Sequence, residues 1–542
     1  GINSGMTTEE GEDENTTNGS LEKEGAEKNQ EKSATLIETS KGTVRGKVVG
    51  SARVFSGIPF ADPPLGALRW RPPQPVSPWE GILDATKYKS SCTQAPGTAV
   101  GSGDEDCLYL NVIVPNKKAP REGFPVQVFI HGGSNVRGGA LSISKGKESG
   151  IMQGFGNDSI LVTINYRLGP LGFMTHPALA KEDPQWPVSG NYGILDQIAA
   201  LKWVQKEIAA FGGDPDRVGL SGNSAGAVDS LLLMMSPLAE GLFDAVWASS
   251  GVIGEGRTMK ENEVKTGLTT EHLTGCDKAS DPLVCLRSVS AEKLVSLSRS
   301  NGMPIGQVVD GIVYPDHSYN LIARGEYTHV PVMGGSQTHD RIKKSGPVTL
   351  ANLDALISLL GEFWSIFGLE TEEEIRRTAA ESASIYEKAE PDKSLTEIGA
   401  DMHSDLVFLC GFRRIFDDLA RQMPGSVYWY RFEYTLPPDE YSRHNYAFKF
   451  YTGQVAAGDN PNPMYEGGHY TPTKDDLTLT TRMNSWFTNL IETGNPNASG
   501  LPTWQPFESS PSGSALVMNA EPYMSANFRN AQCDYWDQFY NY

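Results

Sequence analysis

The chain lacks any run of 18 apolar residues, so no membrane-spanning segment is expected. Basic side chains are also scarce, because 46 lysines and arginines stand against 66 aspartates and glutamates, a net charge of −20. This balance argues against nucleic acids and anionic membranes as partners, since both attract basic surfaces. The HExxH, EF-hand and dinucleotide-binding motifs are missing as well, and we expect neither a metal nor a cofactor.

Cysteine is rare, and no two cysteines form a CxxC pair, which argues against a structural zinc site. The six cysteines are an even number at separated positions, a pattern typical of disulfides in an oxidising compartment. Four N-x-[ST] sequons, at Asn15, Asn18, Asn157 and Asn497, point the same way, although sequons also arise by chance. We therefore expect a secreted protein. The chain begins at Gly1 without a signal peptide, as a mature or trimmed chain would.

Residues 1–34 contain no aromatic residue and carry nine acidic and three basic side chains. Such a segment buries too little apolar surface to offset its ordering entropy, so we expect it to be disordered. Residues 35–542 show no linker or repeat that would divide them, and we predict that they form one domain. Within them, apolar runs such as 126–130 and 160–166 alternate with helical patterns such as 401–421, which indicates a mainly parallel sheet with crossover helices.

Residues 218–227 read VGLSGNSAGA and contain a Gly-x-Ser-x-Gly sequence with Ser224 in the middle. A short strand, a tight turn and a helix over 225–235 would follow one another here, which is what a nucleophile elbow requires. Gly222 and Gly226 permit a turn that is too sharp for residues with a Cβ. The segment therefore predicts a nucleophilic serine above a helix N-terminus, and the alternative is an ordinary turn rich in glycine and serine.

Several other segments resemble a single family, and the most specific of them is residues 105–112, which read EDCLYLNV. This stretch is similar to a signature of the type-B carboxylesterases, which include the cholinesterases and some fungal lipases. The resemblance extends in the family's order over nearly all of residues 35–542. It implies an α/β-hydrolase fold, with helices on both faces of a large mixed, mainly parallel sheet, and a serine esterase. It also implies a structural ion pair between Arg69 and Glu105.

The catalytic acid is expected after the serine and before the histidine, because α/β hydrolases keep this chain order. At this point the family commonly has a glycine, then four residues of any type, then a glutamate followed by a second glycine. Counted from Gly335, the acid is Asp340, whereas counting from Gly334 gives His339, which makes no chemical sense. The chain departs twice from the family, since Asp340 replaces the usual Glu and Arg341 the usual Gly. The alternative is an exposed loop aspartate.

Three histidines follow the predicted acid, at positions 403, 444 and 469. His403 lies in a helical pattern and is expected to be structural. His444 resembles the family's base, because aromatic residues follow it and Gly453 comes nine residues later, although two intervening residues depart from the family. We predict that His444 is the base, with His469 in a Gly-Gly-His sequence as the competitor.

An oxyanion formed during acyl transfer needs backbone donors, and the HGG sequence at 131–133 resembles the family's glycine-rich oxyanion loop. By position in the family the donors are the N–H groups of Gly133, Ser134 and Ala225. Ser134 stands where the family has a third glycine, which leaves the donor in place but reduces the freedom of the loop. A phosphate cradle is the alternative for this loop, and it lacks the Walker Lys-Ser/Thr pair.

The resemblance also implies how the cysteines pair, with free thiols as the alternative. The implied disulfides join Cys92 with Cys107, Cys276 with Cys285, and Cys410 with Cys533. The loop inside the first disulfide, residues 93–106, is short and polar and has no aromatic residue. It offers neither an apolar face for lipid nor a tryptophan for a quaternary ammonium group, which favours a soluble-ester hydrolase over a lipase or a cholinesterase.

Charges near the predicted site lead to an expectation about the charge of the substrate. The family usually has Glu before the nucleophile, and this chain has the neutral Asn223. Arg137 follows the oxyanion loop, Arg341 follows the acid and Arg443 precedes the base. These changes favour an anionic substrate, such as a polycarboxylate ester or a cephalosporin-type acetate. The alternative is that the arginines face solvent.

The sequence therefore predicts a secreted serine carboxylesterase whose partner is a small-molecule ester. A triacylglycerol lipase is the enzymatic alternative. A non-catalytic adhesion-type relative, in which the fold survives without the triad, is the alternative from another class. The oligomeric state stays open.

Overall fold

The structure is a computed structural model that describes residues 35–254, 256–340, 350–437, 442–459, 469–509 and 513–540. The segment 1–34, with its sequons at Asn15 and Asn18, lies outside these residues, as does Arg341.

The strands of the described residues form one large sheet and two small ones. In chain order they are β1 (Leu36–Thr39), β2 (Gly42–Arg45), β3 (Lys47–Val49), β4 (Ala52–Pro59), β5 (Ile82–Asp84), β6 (Tyr109–Pro115), β7 (Phe124–Ile130), β8 (Ile160–Ile164), β9 (Gly213–Asn223), β10 (Ala245–Ser249), β11 (Arg257–Thr258), β12 (Val308–Val309), β13 (Val332–Gln337), β14 (Val427–Phe432), β15 (Ala515–Met518) and β16 (Tyr523–Ser525). The large sheet has eleven strands in the order β16-β15-β14-β13-β10-β9-β7-β8-β6-β4-β3.

The seven central strands of this sheet, from β15 to β8, run parallel to one another. Antiparallel pairs are confined to its two sides. The predicted mixed, mainly parallel sheet is thereby confirmed. Because carboxyl ends of parallel strands share one edge, the segments after β7, β9, β10 and β13 lie along the same edge of the sheet.

Helices cover both faces of the sheet, because every residue of the apolar central strands needs a packing partner. In β7, Val128 and Ile130 belong to one core cluster, and Phe129 belongs to the cluster on the opposite face. The first cluster contains Leu201 and Leu231 of two crossover helices, and the second contains Trp486 of a C-terminal helix. The α-helices are Leu141–Ser144, Glu148–Gly154, Gly169–Phe173, Leu179–Glu182, Tyr192–Glu207, Ala225–Met235, Met259–Lys265, Gly267–Thr274, Pro282–Ser288, Ala291–Ser300, Ser318–Arg324, Leu353–Leu359, Gly361–Ile366, Glu372–Ala389, Leu395–Ser404, Cys410–Gln422, Tyr446–Tyr451, Lys474–Thr493 and Asn530–Asp537.

Three disulfides, over sequence separations of 9 to 123 residues, and a largely buried ion pair cross-link the chain. The ion pair has Arg69 Nε donating to Glu105 Oε1 at 2.8 Å and a second nitrogen donating to Oε2 at 2.6 Å. This two-point contact is the pair that the resemblance implied. The disulfides likewise join the implied partners, Cys92 with Cys107, Cys276 with Cys285, and Cys410 with Cys533.

Candidate active site

The turn at Ser224 is a sharp elbow between β9 and the helix Ala225–Met235. Ser224 has φ 57° and ψ −123°, a conformation that costs energy for any residue with a Cβ. A Cβ on Gly222 would lie 2.1 Å from the carbonyl oxygen of Gly226, and a Cβ on Gly226 would lie 2.1 Å from that of Ile130. Both glycines are therefore required by close backbone contacts, which hold the serine in its strained conformation.

Asp340 and His444 are in direct contact, although 104 residues separate them in the chain. The His444 Nδ1 donates to Oδ1 of Asp340, whose carboxylate is 1 % exposed. The other oxygen, Oδ2, accepts from Ser250 Oγ at 2.9 Å and from the backbone N–H of Gln337 at 2.8 Å. A carboxylate can only accept, so this contact places the imidazole proton on Nδ1 and leaves Nε2 free to take a proton.

Backbone pairing brings the loop of Asp340 to the loop of His444. The N–H of His339 donates to the carbonyl of Ser442 at 2.9 Å, and His339 forms an isolated parallel bridge with Arg443. Each bridge residue directly precedes one member of the Asp340–His444 pair. The pairing therefore sets the distance between the two side chains.

The end of the helix Leu395–Ser404 and the π-helical turn that follows it, Asp405–Leu409, support the two members of the pair from outside the sheet. Ser404 Oγ accepts from the Asp340 N–H at 3.0 Å, and the Phe408 ring stacks on the His444 ring at 5.7 Å and 10°. The sequence predicted an uninterrupted helical pattern here and did not identify Ser404, Phe408 or Ser250. A π-turn in a helix is a frequent mark of a functional site, but helical periodicity does not show where one falls.

The loop of His444 is also joined to the elbow. Asn223 Nδ2 donates to Asn445 Oδ1 at 3.0 Å, so the residue before Ser224 binds the residue after His444. The hydroxyl of Tyr451 donates to the carbonyl of Gly222 at 3.2 Å. Asn223 is 3 % exposed, and its side chain thus connects two loops of the site.

The predicted oxyanion loop lies next to the elbow. A Cβ on Gly132 would lie 3.1 Å from the Cβ of Ser224. The loop is a compact turn, because the N–H groups of residues 136 and 137 both donate to the carbonyl of Gly133 at 3.1 Å. Ser134 and Asn135 each have φ 56°, so the loop holds two non-glycine residues in the left-handed region.

Two other histidines near the site are neutral at physiological pH. Burial lowers the pKa of His131 to about 4, and its ring stacks on Tyr166 at 4.5 Å. Burial also lowers the pKa of His339 to about 4. The competitor His469 is exposed, and its ring packs against Gly458.

The arginines of the predicted anion site are only partly described. Arg137 is exposed at the end of the oxyanion loop, and Arg443 is half-buried beside His444. Arg341 lies outside the described residues. Across the described ranges, the structure shows no cluster of His, Cys, Asp or Glu side chains that could hold a metal ion.

The strand order, the elbow after β9 and the meeting of three loops at one sheet edge are those of an α/β hydrolase. Residues 33–536 match the family model described as the Carboxylesterase family. The chain belongs to this family and is a carboxylic ester hydrolase, in agreement with its relatives, which are named as esterases.

Individual relatives agree with this assignment. The chain is 37 % identical over 316 residues to a fumonisin B1 esterase of Sphingopyxis macrogoltabida, a match that spans 56 % of this chain and 55 % of that protein. It is 29 % identical to the cocaine esterase of Homo sapiens over 94 % of this chain and 92 % of that protein. A solved PNB esterase superimposes with a TM-score of 0.75 at 27 % identity, covering 94 % of this chain and all of that one (100 %).

Proposed function

We propose that this hydrolase is a secreted serine carboxylesterase that cleaves small soluble esters through an acyl-enzyme on Ser224. The contact between the buried Asp340 carboxylate and His444 Nδ1 carries the proposal, because it fixes an imidazole in the tautomer of a general base. The hydrogen bond between Asn223 and Asn445 supports it further, since it ties the loop of this imidazole to the elbow.

The proposed reaction uses these groups in sequence. His444 Nε2 takes the proton of Ser224 as the serine oxygen attacks the ester carbonyl carbon, and Asp340 stabilises the imidazolium that forms. The N–H groups of Gly133, Ser134 and Ala225 stabilise the oxyanion, and each such donor is worth roughly 3–4 kcal/mol of barrier. The imidazolium then protonates the leaving alcohol. Water, activated by the same histidine, releases the acid from the serine.

Covalent labelling tests the nucleophile. We expect a fluorophosphonate to modify one side chain per molecule, because phosphonylation with loss of fluoride requires a serine activated by a base. Mass spectrometry of the digest should place the adduct on Ser224 and leave Ser221, a buried serine of the same segment, unmodified. A protein that stays unlabelled, or that is labelled at another residue, would contradict the proposed mechanism and favour the non-catalytic alternative.

The loop between Cys92 and Cys107 supports soluble esters over lipids. It contains no helix in the structure, and residues 95–101 are mostly exposed or half-exposed. A lid over a lipid-binding surface needs an amphipathic element with an apolar face, and this loop supplies none.

We further propose that the ester carries a carboxylate. Arg137 supports this, because it is exposed on the loop that flanks Ser224, and no carboxylate of the described ranges forms an ion pair with it. Arg443 adds a second guanidinium on the loop of the base. The buried and neutral Asn223 leaves the elbow without the negative charge that would repel such a substrate.

A pair of matched esters tests the charge preference. We expect kcat/KM for a carboxylate-bearing ester to exceed that of its methylated neutral analogue by about 3- to 10-fold, the range of a partly exposed charged hydrogen bond. Arg137→Ala should reduce this ratio toward one, whereas Arg121→Ala, a change of an exposed arginine before β7, should not. Equal ratios in the wild type and in Arg137→Ala would disprove the preference. Fumonisin B1 belongs in the panel because one relative is named for it.

Secretion is proposed from the three disulfides together with the sequons. Within the described part of the chain, no helix is long and apolar enough to cross a membrane. The two described sequons differ in their surroundings. The amide nitrogen of Asn497 donates to Trp504 at 2.8 Å and to Asn495 at 2.9 Å, so a glycan there would remove one hydrogen bond. Asn157 is half-buried, and its side-chain oxygen is buried without a hydrogen-bond partner among the described residues.

A further inference from the structure

A fully buried carboxylate, Asp229, lies beside the oxyanion loop and faces neutral amides. Its Oδ2 accepts from Gln197 Nε2 at 2.6 Å. Its Oδ1 accepts from Asn135 Nδ2 at 3.2 Å and from the side-chain amide of Gln307. Burial raises the pKa of Asp229 to about 6. Because the pKa is higher in the folded than in the unfolded state, the contribution of Asp229 to the free energy of unfolding is fully present below about pH 4. This contribution is lost as the pH rises from about 4 to about 6.

Asp229 and the three amides that bind it, those of Gln197, Asn135 and Gln307, form a polar cluster. Asn135 is the member of this cluster that lies on the oxyanion loop. It directly follows Ser134, is 3 % exposed and has φ 56°. Its Oδ1 lies 3.1 Å from the hydroxyl of Tyr166, and its carbonyl accepts from the N–H of Gly169 at 2.7 Å. The nitrogen and the oxygen of its side-chain amide are both hydrogen-bonded. These contacts keep Asn135 in the left-handed conformation and so fix the direction of the backbone directly after the predicted donors.

Asp229 belongs to the elbow helix Ala225–Met235. It comes four residues after Ala225, so the two residues lie on the same side of the helix. The hydrogen bond from Asn135 therefore joins the loop that carries Gly133 and Ser134 to the helix that begins with Ala225. These two elements would supply all three N–H donors of the oxyanion hole.

We propose that Asp229 is a positioning residue, which holds the oxyanion loop in register with the elbow helix through Asn135. The inference rests on the proposed oxyanion hole. Donors stabilise an oxyanion only at hydrogen-bond distance from its final position, and a displacement of about 1 Å costs on the order of 10²-fold in rate. The group acts on the transition state through the loop and touches no substrate atom.

The cluster also predicts which substitution is tolerated. The Oε1 atom of Gln197 is buried and has no hydrogen-bond donor among the described residues. An asparagine at position 229 would keep an acceptor for Asn135, and its NH₂ group could donate to that oxygen after rotation of the Gln197 amide. An alanine would leave the side-chain amides of Asn135 and Gln197 without their partner.

Kinetics and transition-state-analogue binding test the proposal. We expect Asp229→Ala and Asn135→Ala to lower kcat for a chromogenic acetate ester by about 10- to 100-fold with KM changed less than about threefold. The affinity for a trifluoromethyl ketone, which forms a tetrahedral adduct on the serine, should fall by the same factor. Asp229→Asn should recover most of the loss. Asn262→Ala, which removes another buried amide bonded to Thr175 at 3.0 Å, should not change kcat.

Tyr166→Phe decides the matter if the alanine variants do not fold, because it removes a single hydroxyl that contacts both Asn135 Oδ1 at 3.1 Å and the carbonyl of His131 at 2.8 Å, on either side of the predicted donors Gly133 and Ser134. We expect it to lower kcat and inhibitor affinity together by about threefold or more. Folded variants at Asp229, Asn135 or Tyr166 with wild-type kcat and inhibitor affinity would overturn the positioning role. End-point fluorophosphonate labelling of the wild type separates this outcome from failure of the proposed function, in which Ser224 itself would stay unlabelled.

Discussion

Replacing His444 with alanine is expected to reduce kcat for ester hydrolysis by about 10⁵- to 10⁶-fold, the loss seen when a serine hydrolase loses its general base. The serine hydroxyl then has no group to take its proton, and the leaving alcohol has no donor. KM should change little, because the imidazole acts on the reacting atoms and not on the rest of the substrate. Steady-state kinetics on a purified, folded variant measure this, with far-UV circular dichroism as the check on folding.

His469→Ala is the matched control for this experiment. His469 also follows the acid in the chain, but its exposed ring packs against Gly458. We expect His469→Ala to keep kcat within about twofold of the wild type, as surface substitutions do. If His469→Ala is inactive and His444→Ala is active, the assignment of the base is wrong.

Replacing Asp340 with asparagine is expected to lower kcat by about 10⁴-fold. An asparagine that turned its NH₂ toward His444 Nδ1 would place the imidazole proton on Nε2, which is the wrong tautomer for a base. The other contacts of the side chain, from Ser250 Oγ and the Gln337 N–H, allow the variant to keep the loop in place. The effect should therefore appear in kcat and not in KM.

Asp310→Asn provides the matched control for the acid. The Asp310 carboxylate accepts from the N–H groups of Ile312 and Val313 at 2.9 and 2.8 Å, so it holds a loop without touching a histidine. We expect its kcat to stay within about threefold of the wild type. An Asp340→Asn variant that keeps more than about a tenth of wild-type kcat would show that another carboxylate orients the base.

Local features of the fold could be predicted where neighbouring residues determine the conformation. The helix after Ser224 spans Ala225–Met235 as predicted, and its strand ends at Asn223. Gly222 and Gly226 make this turn possible because a Cβ at either position would lie 2.1 Å from a backbone oxygen, and such a requirement is visible in the sequence as an obligatory glycine. The predicted strand at 126–130 is also present, because a continuous apolar run suits a strand buried on both faces.

The supports of the Asp340–His444 pair could not be predicted in the same way. Ser250 follows β10, which lies between β9 and β13, so it stands between the elbow and the acid only because of the strand order. Ser404 ends a helix, and Phe408 reaches His444 from the π-helical turn that begins directly after it, whose position helical periodicity does not reveal. Asp229 and Asn135 are 94 residues apart, and neither belongs to a pattern that links them.

The sequence by itself determined the sharp turn at Ser224 and the parallel sheet, because glycine requirements and apolar periodicity act over a few residues. The proposed order of serine, acid and histidine came from the resemblance to the family. Only the tertiary structure decided which hydroxyl oxygen and which aromatic ring contact Asp340 and His444, and which amide group joins the loop of His444 to the turn at Ser224. Those contacts join residues tens to hundreds of positions apart, 64 for Ser404 and Asp340 and 222 for Asn223 and Asn445. Strand order and helix packing bring such partners together, and no local spacing rule describes them.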